Sequence, residues 1–255
     1  MMKEKIIAIW GATGTGKSTL SGALAQRLSK EIDTVLVVNA DPYVKAFTIW
    51  GVDADNLPSI GETLNHPELT QKYIRSRTTA LPGNDKIGLI GYLPKDNIER
   101  FDPISLGAAK TFLSQVRDFS EITIIDCCLP SADMLSYSAL LEADIIVSLI
   151  EPNCRGVGFY FSMASMFEHF KNLQLQKHIL VAAKYRSESP IEQVENDIGQ
   201  AFDVNLPYTT EAMDRMDERN LFVKYGEPFQ HAVNQIANEI LFADIHAEKE
   251  AEQDA

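Results

Sequence analysis

Gly11-Ala12-Thr13-Gly14-Thr15-Gly16-Lys17-Ser18 is the stretch on which the reading of this chain turns. It meets G-x-x-x-x-G-K-[ST] at every fixed position. Glycines at these places let a loop wrap closely round a polyphosphate, with backbone N–H groups pointing inward. The helix that follows turns its positive end towards the same anion. Lys17 then reaches the β- and γ-phosphates, the Ser18 hydroxyl ligates Mg²⁺, and Thr19 hydrogen-bonds the α-phosphate. A lysine just inside a helix N-terminus opposes the helix dipole, so it needs a compensating anion. The run from Gly11 to Thr19 is therefore read as the site of a nucleoside triphosphate, with ATP and Mg²⁺ as the expected cofactors.

The flanks agree with this reading. Residues 6–10 (I-I-A-I-W) form a short apolar run ending in glycine, which predicts a buried parallel strand. Residues 18–30 carry Leu20, Ala23, Leu24 and Leu28 at helical spacing. Residues 34–38 (T-V-L-V-V) predict a second buried strand, and strand, helix, strand implies a right-handed parallel crossover. Further strands are expected over 87–92, 122–125, 144–150 and 179–183. Further helices are expected over 105–119, 158–170, 190–202 and 231–242. Phe159, Met163, Met166, Phe167 and Phe170 lie roughly on one side of their helix and read as core. Pro190 stands early in its helix, where a missing N–H costs little. The predicted fold is α/β, a P-loop architecture with a mostly parallel central sheet flanked by helices on both faces. Ligands of such sheets sit at the carboxyl ends of the strands. No linker-like stretch interrupts residues 1–245, which read as one domain, and residues 246–255 read as an acidic, disordered tail.

Two aspartates end strands beside the phosphate loop. Asp126 closes I-T-I-I and suits a metal-supporting acid, acting with Ser18 on Mg²⁺ directly or through water. Asp41 closes V-V-N-A and is placed to polarise or position an attacking water. Either could instead cap a helix or a turn. Lys17, Asp41 and Asp126 are the candidate catalytic residues.

Composition narrows the partners. The chain has 255 residues and a formal net charge of -13, which repels DNA and anionic lipid unless a basic patch overrides it. No run of Lys and Arg does so, and nucleic acid is not an expected partner. Cys127, Cys128 and Cys154 lack the spacing of a zinc knuckle or a redox pair and read as buried thiols in a reducing compartment. The apolar stretch before Gly11 is too short for a signal peptide or a membrane span, so a cytoplasmic location is expected. The five histidines show no metal-ligand spacing, and Trp10 and Trp50 read as packing at sheet ends.

Taken in order, these motifs resemble the MinD/ParA group of P-loop ATPases, the deviant Walker A class, over nearly the whole chain. V-V-N-A-D-P at 37–42 resembles that family's first switch, and the strand ending at Asp126 its second. D-I-I-V-S-L-I-E-P at 144–152 is similar to the segment that precedes a helix in the family. Asn205-Leu206-Pro207-Tyr208 looks like the family's I-P-Y-D loop beside the adenine, and Lys184 falls where the family often has Asn-Arg or Thr-Arg near the base. The resemblance thus implies that Lys184, Pro207 and Tyr208 help bind the nucleotide, and that the chain forms a nucleotide-dependent homodimer. There are departures. The family's signature lysine, which normally crosses the dimer interface, falls on Ala12, and the second switch reads Asp126-Cys127-Cys128-Leu129-Pro130 rather than D-x-P-x-G. The segment A-E-K-E-A-E-Q-D-A lacks the basic amphipathic helix with which MinD holds membranes, so no direct membrane anchor is expected. Loss of the lysine with retention of the rest resembles the TadZ/CpaE branch, which positions pilus or secretion machinery; some of that branch carry a receiver-like domain first.

Three functions follow. The leading expectation is an ATP-operated switch that dimerises, recruits a partner protein and hydrolyses slowly. A small-molecule kinase would use the same loop but needs a basic lid, for which Arg75, Arg77 and Arg155 are the candidates. A DNA-partition ATPase of ParA type would need a basic surface.

Overall fold

The computed structural model describes residues 4–54, 56–129, 133–171 and 176–243. In chain order the elements are β1 (Lys5–Gly11), α1 (Lys17–Leu28), β2 (Val35–Asn39), α2 (Ala46–Trp50), α3 (Ile60–Leu64), α4 (Gln71–Ser76), β3 (Thr79–Leu81) and β4 (Asn84–Ile90). A 3-10 turn (Ile98–Arg100) leads to α5 (Leu106–Arg117), β5 (Ile122–Asp126), α6 (Met134–Glu142), β6 (Ile145–Ile150) and α7 (Cys154–Lys171). The chain continues through β7 (Lys177–Tyr185), α8 (Ile191–Ile198), β8 (Val204–Pro207), α9 (Glu211–Asp217) and α10 (Phe229–Leu241).

The strands form one sheet in the order β3-β4-β2-β5-β1-β6-β7-β8. All neighbours are parallel except β3 and β4. The P-loop strand β1 lies inside the sheet between β5 and β6, buried at every residue. Its side chains alternate between two cores. Ile7 and Ile9 enter the core beneath α1 and α10, while Ile6, Ala8 and Trp10 enter the core beneath α5 and α6. Helices on both faces explain why these strands read as continuous apolar runs rather than alternating ones. Each fully buried isoleucine or leucine contributes about 1.5–3 kcal/mol.

Register carries the function. Asp126 on β5 stands opposite Ile9 of β1 on one side and Asn39 of β2 on the other. The last residue of β5 is thereby brought level with the start of the phosphate loop. At the opposite end of the strands, the C-terminus of α10 is held by two strand lysines. Lys5, itself buried, donates through Nζ to the Ile240 carbonyl (3.1 Å). Lys177 donates to the Glu239 carbonyl (3.1 Å) and pairs with the Glu239 carboxylate. Cations at a helix C-terminus complement its dipole.

Several expectations are adjusted. The helix expected over 190–202 spans Ile191–Ile198, because Gly199 adopts a left-handed φ of 70° and ends it, with Pro190 at the cap position. Cys154 is exposed at the start of α7, unlike Cys127 and Cys128, which are buried. Phe159 and Met163 pack against the core as expected, but Phe161 on the same helix is exposed. Met166, Phe167, Phe170, Pro130 and the tail 246–255 lie outside the described side chains or residues. Trp10 and Trp50 are both buried.

Ile124→Ala on the central strand β5 is expected to lower stability by about 2–5 kcal/mol, since the side chain is fully buried and the cavity left behind cannot collapse. Urea unfolding with an unchanged slope checks it; a shift under about 1 kcal/mol would show that this core is looser than its packing.

Candidate nucleotide site

The loop between β1 and α1 is shaped by two glycine constraints. A Cβ on Gly11 would lie 2.4 Å from the Leu149 carbonyl oxygen of β6, so only glycine fits where β1 turns into the loop. Gly16 occupies the cap position of α1 with φ 97°, and no side chain caps the helix there. The first amides of α1 are left for an anion rather than for the protein. Within the loop, the Thr15 hydroxyl donates to the Ala12 carbonyl (2.9 Å). Lys17 folds its ammonium over the loop and donates to the Gly11 and Ala12 carbonyls (3.1 and 3.2 Å). These carbonyls park the charge at the mouth of the loop.

Ser18 and Asp126 meet. The Ser18 hydroxyl donates to Asp126 Oδ2 at 2.7 Å, across 108 residues of chain. Asp126 is 1% exposed. Burial pushes its pKa above the usual carboxylate range, against the pull of the Ser18 hydroxyl and the Lys17 ammonium. Asn39 lies between Asp126 and the next loop. Its amide can donate to Asp126 Oδ2 at 3.4 Å or, turned over, to the Asp41 and Val44 carbonyls at 3.1 Å each. The second orientation makes two shorter bonds and is the one we assign. Asp41 Oδ1 accepts the backbone N–H groups of Tyr43 (2.9 Å) and Val44 (3.2 Å). Asp41 thus makes the turn that the sequence left open as its alternative role, while also lining the cavity described next.

That cavity, about 310 Å³, opens beside the loop. Thr13 to Thr19 form one wall, and Asp41, Lys184, Pro207 and Tyr208 also line it. Gly11, Ala12 and Asp126 do not line it but are hydrogen-bonded to Lys17 and Ser18, which do. Lys184 belongs to β7, which runs two residues beyond its expected end. A register shift between Ala183 and Tyr185 and a φ of 55° turn Lys184 out of the strand, as bulges do. Its ammonium pairs with Glu151 at 3.0 Å. Burial pushes Glu151 up, but the Lys184 ammonium and the Asn153 amide overcome it and hold the carboxyl below its usual range. Tyr208 is partly exposed, with the Arg186 guanidinium 4.5 Å from its ring centre.

Apart from Leu206, the apolar end of the cavity escaped the sequence reading. Val44, Ile49, Leu206, Met213, Met216 and Phe229 line it. Met213 and Met216 come from the short helix α9, whose apolar spacing was the available signal. The candidate lid arginines are elsewhere: Arg77 pairs with Glu62 at 2.8 Å, and neither Arg75, Arg77 nor Arg155 lines this cavity. Cys127 and Cys128 follow Asp126 as protonated thiols, pushed up by burial, Cys128 to about 12.

A family model described as an AAA domain matches residues 4–179, more than half of the chain. The chain belongs to the AAA domain family. The matched segment holds the phosphate loop, Asp41 and Asp126; Lys184, Pro207, Tyr208 and α9 lie beyond it. Solved structures agree on the fold. A ParA family ATPase from Chlorobium tepidum TLS aligns with a TM-score of 0.75 at 16% identity, over 92% of this chain and 98% of that one. The septum site-determining protein MinD of Pyrococcus horikoshii OT3, complexed with Mg-ADP, aligns with a TM-score of 0.73 at 18% identity, over 93% and 96%. MinD of Aquifex aeolicus, in its complex with MinC, aligns with a TM-score of 0.72 at 14% identity, over 92% and 95%. At these identities the likeness concerns the fold, which is that of MinD/ParA-type P-loop ATPases. No curated protein matches the chain significantly. Among the described residues of this AAA domain protein, no helix is long and apolar enough to cross a membrane.

The buried Asp126 makes a signed prediction. Its folded-state pKa is raised above the ordinary 3.8. The stability it contributes as an acid is therefore fully present below that value and is lost as pH rises through the raised pKa. Asp126→Asn is expected to be more stable than the parent at neutral pH, with the gap closing as pH falls towards 3.8. Thermal unfolding of both proteins without nucleotide, across this range, measures it; a constant gap would show that the carboxyl does not titrate as buried.

Proposed function

We propose that this chain is an ATP-operated switch of the MinD/ParA type, carried by residues 1–245 as one domain. The observation that carries the proposal is the Ser18–Asp126 hydrogen bond at 2.7 Å beside a glycine loop with free helix amides. A hydroxyl and a carboxylate in contact are two hard oxygen donors, the chemistry that suits Mg²⁺. Among the described residues no group of three or more His, Cys, Asp or Glu could hold a metal ion. Mg²⁺ at this place would therefore draw its remaining ligands from phosphate and water, as it commonly does. Bound there, it would neutralise charge developing between the β- and γ-phosphates.

The chain's own residues do the rest. The amides of 13–19 cradle the phosphates, and Lys17 leaves the Gly11 and Ala12 carbonyls for the β- and γ-oxygens. Thr19 takes the α-phosphate. Asp126 would support Mg²⁺ together with Ser18, directly or through a water, and hold the Ser18 hydroxyl oriented towards it. Asp41 positions the attacking water while its other contacts keep the loop 41–44 in place. The apolar end of the cavity and Tyr208, with Lys184 at its side, hold the base, for which adenine is favoured by the family likeness. A bound γ-phosphate orders the loops after Asp41 and Asp126, and that ordering is the switch. Tyr43 and Leu129 on these loops are exposed and available to a second copy and to a partner protein. Proteins of similar fold carry Mg-ADP or pair with a partner, MinD with MinC. The narrower assignment to pilus or secretion machinery rests on the absence of a lysine at Ala12 and on the motifs that remain. A cytoplasmic site of action is part of the same proposal. That Arg75, Arg77 and Arg155 do not line the cavity favours the switch over a kinase.

Lys17→Ala is expected to weaken ATP binding by about 100-fold, the loss of charge-assisted hydrogen bonds to phosphate. Asp41→Asn keeps an acceptor for the 41–44 turn, so it should leave ATP binding within about threefold and slow hydrolysis by about 100-fold. Calorimetric titration and phosphate release separate the two; ordinary turnover by Asp41→Asn would remove Asp41 from the chemistry. Light scattering should show the mass doubling with ATP and Mg²⁺ but not with ADP. A monomer throughout the nucleotide series would discard the switch.

A further inference from the structure

A second cavity, about 630 Å³, lies on the far side of α2 from the nucleotide site. The two share a wall. Ile49 of α2 and Met216 of α9 line the nucleotide cavity, whereas Phe47 and Thr48 of α2 and Arg219, just past α9, line the larger one. The wall is locked by backbone contact: a Cβ on Gly51 would lie 2.0 Å from the Arg219 carbonyl oxygen, and both residues are left-handed, with φ of 68° and 56°.

The chemistry of the lining selects an occupant. In a chain of net charge -13, this cavity carries three cations, Lys95, Arg100 and Arg219, against three carboxylates, Asp53, Glu62 and Asp96. Among the described lining residues these charges balance, so neither a polyanion nor a simple cation is favoured. Most of these charges are engaged. Glu62 accepts from Arg77 (2.8 Å) and Arg100 (3.0 Å), and Asp53 and Lys95 have partners of their own. Two groups are left. Asp96 is 7% exposed, and its Oδ2 accepts the Ser59 hydroxyl (2.5 Å) and the Leu93 N–H (2.7 Å). Its Oδ1 is buried without a partner, a state that a proton donor would relieve. Among the described residues no acceptor holds the Arg219 guanidinium. One group asks for a cationic donor and the other for an anion, beside the apolar Phe47, Val52 and Leu93.

We propose that this cavity is a binding site for a zwitterionic small molecule of the free α-amino acid class. The ammonium meets Asp96, the carboxylate meets Arg219, and an apolar side chain lies against Phe47, Val52 and Leu93. The volume falls within the range of about 300–1,000 Å³ typical of small-molecule sites. Because Arg219 is locked to α2, an occupant that holds it also braces the wall of the nucleotide cavity, and the two sites are linked reciprocally.

The test is calorimetric titration of the full chain, nucleotide-free and ADP-saturated, with each of the twenty common L-amino acids at millimolar concentration. At least one with an apolar side chain should bind at one site per chain. Asp96→Asn and Arg219→Gln should each weaken it about tenfold or more, the loss of one charge-assisted hydrogen bond. Arg219→Gln, at an exposed position, serves if Asp96→Asn does not fold. Lys17→Ala should leave amino-acid binding to the nucleotide-free chain unchanged, which separates this site from the proposed nucleotide switch: failure of the parent chain to bind ATP, with its amino-acid binding intact, sinks only the switch. No heat from any of the twenty, binding indifferent to Arg219→Gln, or binding lost with Lys17→Ala would overturn the proposal.

Discussion

A carboxyl group buried at the end of a central parallel strand has to be held by something, and in this protein Asp126 is held by Ser18. Desolvation disfavours its charge, the Ser18 hydroxyl and the Lys17 ammonium favour it, and the balance leaves the pKa raised. A buried carboxyl poised in this way is a place where added positive charge is welcome. The Ser18–Asp126 contact also ties the phosphate loop to the end of β5. Without it, the phosphate loop would be a glycine turn with a lysine folded over its own carbonyls.

The fold exists, in large part, to keep that contact in register. β1 and β5 are neighbours, so Ile9 and Asp126 stand level, and β2 on the other side of β5 brings Asn39 to the same height. Two apolar cores, one on each face, fix the strands against sliding, since a one-residue slip would exchange the side chains of Ile7 and Ala8 between cores. The lysines at the far end, Lys5 and Lys177, tie α10 to the strands that start there. From α10, Phe229 reaches the apolar end of the nucleotide cavity. Packing at one end of the sheet thus shapes the site at the other.

Asp41 illustrates how one side chain serves structure and chemistry together. Its carboxylate closes the 41–44 turn through two backbone N–H groups, and the same residue lines the cavity beside the phosphate loop. A change in what the carboxylate binds is then a change in the loop. This is the physical form a switch takes: a short segment with few contacts of its own, whose order depends on one charged group. α2, which follows directly, lines both cavities, with Ile49 on one and Phe47 and Thr48 on the other.

Gly11, Gly16, Lys17 and Ser18 were legible in the chain because close approach, a left-handed cap and an ammonium beside a hydroxyl admit few other residues. The alternation of apolar runs with helical spacing was equally plain, since strands buried on both faces have almost no choice of composition. What sequence left undecided was everything made of separate pieces. It offered Asp41 as water-positioner or turn, and the structure makes the turn visible. It placed Lys184 beyond its strand, whereas a bulge inside β7 aims it at the cavity. It passed over α9, whose seven residues bury no side chain fully yet supply Met213 and Met216 to the nucleotide cavity. The apolar spacing of α9 runs for only about two turns, too short a signal to stand out in the sequence. Ser18 and Asp126 were expected at one metal, but their direct contact, and the unpartnered Oδ1 of Asp96, depend on distances across the fold, which no local pattern of residues encodes.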